Sequence, residues 1–337
     1  IQSGGTLNLN GSSAEAFINR GTVANAGAVN IGATTGSGGN GLQNEGIFNN
    51  NAGGQLNINR ASGTALDNRP GATLTNQGAI TIGGISQPTG YHGIYNRATI
   101  NNNASGVITI NNSTGRGMVN AEGTFTNIGT VTIGNAASVG EYALYNLSTF
   151  NNNACSILSI FAPFYNSSSS FANVGLFRVN TTGAHTNSGF TNNGVIEQVQ
   201  SNAIPNITNN DLIVAPVSIC GDPYIIERGG AVSFTPAATW YANPGLTTVT
   251  GTYNQTTNTF TPNSSYSGWQ TFYFSVSDNA NGCPRIVSIA VEFVANLTTW
   301  NGSSSTNWNT ASNWTCGIPD ALDMAIIPDV TNDPVIL

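Results

Sequence analysis

His92 and His185 are the chain's two histidines, and six carboxylates and six arginines complete the charged inventory of residues 1–197. Polysaccharide cleavage on a β scaffold needs carboxylates in pairs, or gathered around a cation with an Arg or Lys base beside them. The spacing does not provide this. At the middle position of a recurring three-residue unit stand Ile18, Gln43, Asp67, Tyr95, Val119, Tyr145 and Tyr165, and one Asp makes no pair. Lys is absent, which excludes Schiff-base chemistry and Lys–Asn isopeptide crosslinks. The four cysteines, Cys155, Cys220, Cys283 and Cys316, lack the C-x-x-C spacing of a zinc site. The expectation is a chain without catalytic residues, metal site or cofactor.

The same positions do predict an aromatic surface. Tyr95, Tyr145 and Tyr165 share one outward face, with Tyr91, His92, Arg97 and Tyr142 near them in sequence. Sugar rings stack on such a patch, so surface glycans are candidate partners; cross-rung packing of the tyrosines is the plainer reading. His92 and His185 are read as solvated side chains. Arg20, Glu45, Arg69 and Arg97 each follow a unit Asn, so they are expected to form a surface charge ladder with Glu45 between two Arg, each pair weak.

The element that positions these residues is a repeat. Seven times between Phe17 and Val179 the chain reads apolar-x-Asn, apolar-x-Asn, apolar-x-apolar, as in Leu42-Gln43-Asn44, Phe48-Asn49-Asn50 and Leu56-Asn57-Ile58. The first Asn of each unit is Asn19, Asn44, Asn68, Asn96, Asn120, Asn146 and Asn166; the second is Asn25, Asn50, Asn76, Asn102, Asn127, Asn152 and Asn173. Second-position Asn residues follow one another at 25, 26, 26, 25, 25 and 21 residues, a period that marks stacked repeats. Period-two alternation over three residues predicts short strands with the apolar residue and the Asn facing inward. Three strands per period describe one coil of a right-handed parallel β-helix. Buried Asn is costly when unpaired, but Asn stacked on Asn passes hydrogen bonds along a ladder. Asn-x-Gly corners, such as Asn76-Gln77-Gly78, are expected to use Gly for a positive φ. Phe125, Phe150 and Phe171 should form an internal aromatic column, and length variation is confined to the third corner. About eight rungs give a rod of roughly 35–40 Å.

The period fades after Val179, with one partial rung before residue 197. The expected organisation is all-β: a parallel β-helix over 1–197, a linker over 198–216, an Ig-like β-sandwich over 217–296 and a Trp-rich segment over 297–337. Cys220 and Cys283 bracket the sandwich and are expected to form a disulfide, which implies an oxidising compartment. Cys155 sits at a corner that small residues fill in other rungs and is read as a buried thiol; Cys316 has no assigned partner. Net charge is −7, carried by the part after residue 197, and no basic stripe for nucleic acid and no long apolar run for a membrane span is present.

The stretch from Phe260 through Gly268 to Asp278 resembles the edge of cadherin-like and Ig-like modules of bacterial surface proteins. Trp300-Asn301-Gly302, Trp308, Asn313-Trp314, Gly317-Ile318-Pro319 and Ile326-Ile327-Pro328 are similar to the Trp-rich lead-in that precedes β-helical stretches in large repetitive surface proteins of Bacteroidetes, usually exported by the type IX system. This resemblance implies a cell-surface or extracellular location on a Gram-negative bacterium and an adhesin-like, structural role. Gly4-Gly5-Thr6-Leu7-Asn8-Leu9 matches Gly53-Gly54-Gln55-Leu56-Asn57-Ile58. The chain is therefore expected to be one unit of a tandem array, with neighbouring copies as partners. The alternatives are a carbohydrate-binding module or a polysaccharide-processing β-helix enzyme.

Overall fold

A three-residue strand buries too little to persist alone, so the repeat must stack to be stable. A computed structural model describes residues 1–84, 89–134, 139–168, 170–199, 203–214, 217–220, 224–225, 239–254, 259–263, 266, 268–277, 283–294, 297–315, 318–319 and 324–335. The chain forms two compact units. One is built on Ile1–Val214, with Ser277–Arg285 grouped to it; the other comprises most of the remainder.

The first unit is a parallel β-helix. First-element strands, beginning with Phe17–Asn19, form an eight-stranded sheet, second-element strands a nine-stranded sheet, and third-element strands a ten-stranded sheet. Pairing is parallel and in phase, so Leu66, Ile94, Met118, Leu144 and Phe164 lie directly above one another. The coils run further than the expected eight. Ile207–Asn209 pairs with Phe190–Asn192 and Leu212–Val214 with Val195–Gln198, so the region read as a linker carries another partial coil. Ile207-Thr208-Asn209 and Leu212-Ile213-Val214 obey the repeat rule, but the apolar-x-Asn unit before them, Ile204-Pro205-Asn206, abuts Ile207 with no corner between and forms no strand, so the period is hidden. Ten strands at about 4.8 Å span roughly 43 Å.

Like stacks on like inside. Phe125 lies 4.8 Å from Phe150, and Phe150 lies 5.3 Å from Phe171, with near-parallel rings. All three are buried, as are Leu56, Ile80, Ile108, Val131, Leu158 and Phe177 in the third sheet. The two Asn columns are continuous. Asn19 donates from Nδ2 to Oδ1 of Asn44 at 2.8 Å, and the same bond links Asn44 to Asn68, Asn68 to Asn96, Asn96 to Asn120, Asn120 to Asn146 and Asn146 to Asn166. The second column runs identically from Asn25 through Asn50, Asn76, Asn102, Asn127 and Asn152 to Asn173. Asn187 extends the first ladder, and Asn192 and Asn209 the second. Every one of these amides donates toward the C-terminal end. The second Nδ2 hydrogen goes to a backbone carbonyl, as from Asn25 to Gln55, and Oδ1 also accepts a corner N–H, as from Gly27. The amides are thereby satisfied without any ligand.

The corner glycines serve a different purpose from the one expected. Positive φ occurs at Gly53 and Gly71, where these corners are two residues longer, and not at Gly46 or Gly78, the Asn-x-Gly glycines of the same two corners on other rungs. A Cβ on Gly78 would meet the Gly54 carbonyl oxygen at 2.2 Å, so Gly is required there by the close approach of successive rungs. The third-corner insertions also stack, through the parallel bridges Ser37↔Ala61, Thr89↔Ser113 and Ser113↔Val139.

Cys155, with φ of 64°, occupies the corner position where Gly53 stands in another rung. It is disulfide-bonded to Cys283, with Cα atoms 5.5 Å apart. This corrects two expectations: Cys283 does not pair with Cys220, and Cys155 is not a thiol. The reason is spatial. Ser277–Arg285 groups with the solenoid, so bracketing a segment in sequence does not make two cysteines neighbours. The side chain of Cys220, and Cys316, lie outside the described residues.

The second unit holds a seven-stranded, mainly antiparallel sheet in which Val217–Cys220 runs parallel to Pro284–Val294. Alternation in Gly268–Ser277 buries Phe272, Phe274 and Val276, and Trp240 stacks on Phe274 at 4.9 Å. Trp314 packs edge-on against both Trp300 and Trp308. Buried Asn313 ties their loop by accepting from the N–H groups of Ser304 and Ser305.

Candidate functional site

The outward face of the first-element sheet carries the side chains singled out above. Register places Tyr95 between Asp67 and Val119, and Val119 between Tyr95 and Tyr145. The aliphatic residue divides the expected single aromatic patch into two groups.

In the first group His92 stacks on Tyr95 at 5.7 Å, Tyr91 lies against His92, and the Arg97 guanidinium sits 5.3 Å from the Tyr95 ring centre. His92 is 6% exposed, so it is not the solvated residue expected. Its Nδ1 accepts the Arg116 backbone N–H at 3.2 Å. Burial, reinforced by the nearby Arg116 cation, lowers its pKa from 6.5 to about 4 despite an opposing effect of Glu141. His185 is similarly tied, its Nδ1 accepting the Phe164 N–H at 3.1 Å, and burial lowers its pKa as well.

The second group is Tyr142, Tyr145 and Tyr165. Tyr145 and Tyr165 stack at 4.2 Å, Tyr142 flanks both, and the Arg116 guanidinium covers the other face of Tyr145 at 3.8 Å. Both faces of Tyr145 are therefore occupied. Burial, then the adjoining Tyr165 phenol, raises the Tyr145 pKa, with Arg116 acting the other way. Arg116, Glu141, Tyr142, Tyr145, Pro163 and Tyr165 line an open concavity of about 560 Å³. Arg116 and Glu141 form an ion pair at 2.9 Å, and neither was singled out from sequence. A signal existed: His92, Arg116 and Tyr142 each stand two residues before a first-element strand, and rung-to-rung bonds stack those positions.

The charge ladder is present but wired differently. Arg20 pairs with Glu45 at 2.9 Å, while Arg69 and Arg97 both turn to Asp67, at 2.6 and 3.3 Å. Gln43 bridges the two halves, donating to Glu45 and accepting from Arg69. Glu45 stands between Arg20 and Arg69 in rung order, as expected, but pairs with Arg20 alone, because buried Asp67 is the nearer carboxylate for Arg69. The Arg20 hydrogen bond, then that from Gln43, lowers the Glu45 pKa.

Among the described residues no three His, Cys, Asp or Glu side chains are grouped as a metal site would require. The arrangement can present phenol edges, a guanidinium and a carboxylate to a polar ligand. The chain matches no protein-family model, no curated protein and no solved structure.

Proposed function

We propose that the chain is a non-catalytic, structural and adhesive segment of an extracellular filament or surface adhesin, with the β-helix as its stiff element. The observation that carries this reading is the pair of uninterrupted Asn ladders. They tie successive rungs through buried side chains, and at the middle positions of the first-element strands the one carboxylate, Asp67, is already neutralised by two arginines. A rod of about 43 Å per unit, repeated head to tail with the antiparallel sheet as an Ig-like spacer, holds an adhesive surface away from a cell. The Bacteroidetes-type location and type IX export rest on the resemblance of the Trp-rich segment alone.

The test is made on producing cells. Antibodies raised against the chain are expected to label intact cells, and external protease to remove the label; label found only after lysis would overturn the surface reading. Incubation with a panel of acidic and neutral polysaccharides should release no reducing ends and no unsaturated uronates. Product from the wild-type chain would overturn the non-catalytic one.

A carbohydrate-binding module is the second reading, favoured by the concavity in front of Tyr165, where Arg116 and Glu141 add polar recognition to the aromatic wall. Tyr165→Ala should then abolish retention on a glycan array while circular dichroism stays unchanged.

A further inference from the structure

Arg60 differs from its fellow arginines in the solenoid. Arg20, Arg69, Arg97, Arg116 and Arg178 each meet a carboxylate. Among the described residues Arg60 meets none, and its one bond is from Nη1 to the Thr34 carbonyl at 3.2 Å. It stands in the variable third corner after the strand Gln55–Ile58, on a face distant in rung count from the Tyr165 concavity. Gly36, on the preceding rung, makes room for it: a Cβ there would lie 2.9 Å from the Arg60 Cβ.

Around it runs a groove of about 490 Å³ whose lining includes Gly11, Ser12, Thr35, Ser37, Arg60 and Ser62, drawn from successive third corners. Its volume falls in the range of small-ligand sites. Four backbone donors of the lining are spent between rungs, among them Gly38 N–H on the Ser12 carbonyl and Ser62 N–H on the Ser37 carbonyl. Ser12 and Ser37 hydroxyls likewise donate to carbonyls, of Glu15 and Gly39. The side chains that remain available are the guanidinium and the exposed hydroxyls of Thr35 and Ser62, in a lining whose apolar side chain is Ala61. Glu15, in the neighbouring corner, forms no ion pair with Arg60.

We propose that this groove binds an oxyanion carried on a saccharide, either a uronic-acid carboxylate or a sulfate ester. The guanidinium fork supplies a charge-assisted, two-point contact to the anion. The Thr35 and Ser62 hydroxyls bond the same oxygens or neighbouring ring hydroxyls. With no apolar side chain larger than Ala61 in its lining, the groove has no pocket for an acyl chain or a bulky apolar side chain, which favours a polyhydroxylated ligand over an acidic peptide or lipid. Rungs about 4.8 Å apart along the groove suit a linear chain over a single sugar. The proposal does not depend on the aromatic concavity or on the rod reading.

The test is calorimetric titration of the full chain with three length-matched oligosaccharides: an oligogalacturonate, a heparin-derived sulfated oligomer and neutral dextran. Binding of one or both anionic oligomers, and none of dextran, is expected, and the two anionic arms tell carboxylate from sulfate. Arg60→Gln should weaken it about tenfold or more, the scale of a lost charged hydrogen-bond pair. Arg20→Gln, at an exposed pair on a different corner, should leave it within about twofold. If Arg60→Gln alters the circular dichroism, the double variant Thr35→Val, Ser62→Ala replaces it and should weaken binding without touching any charge. No binding of either anion, binding of dextran equal to theirs, equal losses in Arg20→Gln and Arg60→Gln, or unchanged binding in the groove variants would each overturn the proposal.

Discussion

The side-chain amide of Asn96 donates to Oδ1 of Asn120 at 2.8 Å, one rung further along the rod, and both residues are fully buried. Neither amide has an alternative partner in water, so the bond joins two coils 24 residues apart as firmly as a backbone ladder does.

Asn96→Ala leaves the Asn68 donor, the Asn120 acceptor and the Ala98 N–H without that partner at once. At about 1–3 kcal/mol for each buried group left unsatisfied, the expected loss is about 3 kcal/mol or more. The midpoint of urea unfolding checks this. Asn30→Ala, in the exposed outer ladder with Asn8 and Asn57, should cost less than about 1 kcal/mol.

Phe150 is fully buried between the stacked rings of Phe125 and Phe171. Phe150→Ala is expected to destabilise the solenoid by about 3–5 kcal/mol, whereas Phe150→Leu should cost less because it refills part of the cavity. Thermal unfolding followed by circular dichroism separates the two.

Acid should weaken the solenoid through His92. The folded pKa is about 4 and the unfolded one about 6.5, so between these values the unfolded chain carries a proton that the folded chain lacks. Stability is therefore complete above pH 6.5 and declines as pH falls toward about 4. His185, lowered in the same direction, adds to the trend. Glu45 does so at lower pH, since its pKa is also lowered. Unfolding midpoints compared between pH 8 and pH 4.5 should show a smaller drop for His92→Gln than for the wild-type chain.

The disulfide assignment is checked by peptide mapping without reduction. A crosslinked peptide pair containing Cys155 and Cys283 is expected. A Cys220–Cys283 pair in its place would contradict it.

Much of this architecture was legible because the repeat writes its inward face in two residue types, an aliphatic or aromatic residue and an Asn two positions later. Stacking in phase follows from that rule alone, and with it the Asn ladders and the Phe125–Phe150–Phe171 column. The misses share a physical cause: they depend on what covers a surface. The burial of His92 follows from the stacked corner insertions and not from its own strand. Val119 interrupts the tyrosine column only once the register is fixed. Asp67 draws Arg69 away from Glu45 through a competition that no spacing encodes. The coil at Ile207–Asn209 was hidden because Ile204-Pro205-Asn206 runs straight into it without a corner and forms no strand, and the role of Gly78 depends on a neighbouring rung absent from its own stretch of sequence.

The stacking itself is tested most directly by paired cysteines on the outer face of the second-element sheet. Thr99 and Thr124 are register partners on adjacent rungs, while Thr149 lies one rung beyond Thr124. Under mild oxidation Thr99→Cys with Thr124→Cys should crosslink readily, as judged by mass spectrometry. Thr99→Cys with Thr149→Cys, about 9.6 Å apart, should not. Crosslinking of the second pair in preference to the first would contradict the parallel, in-phase stack of coils.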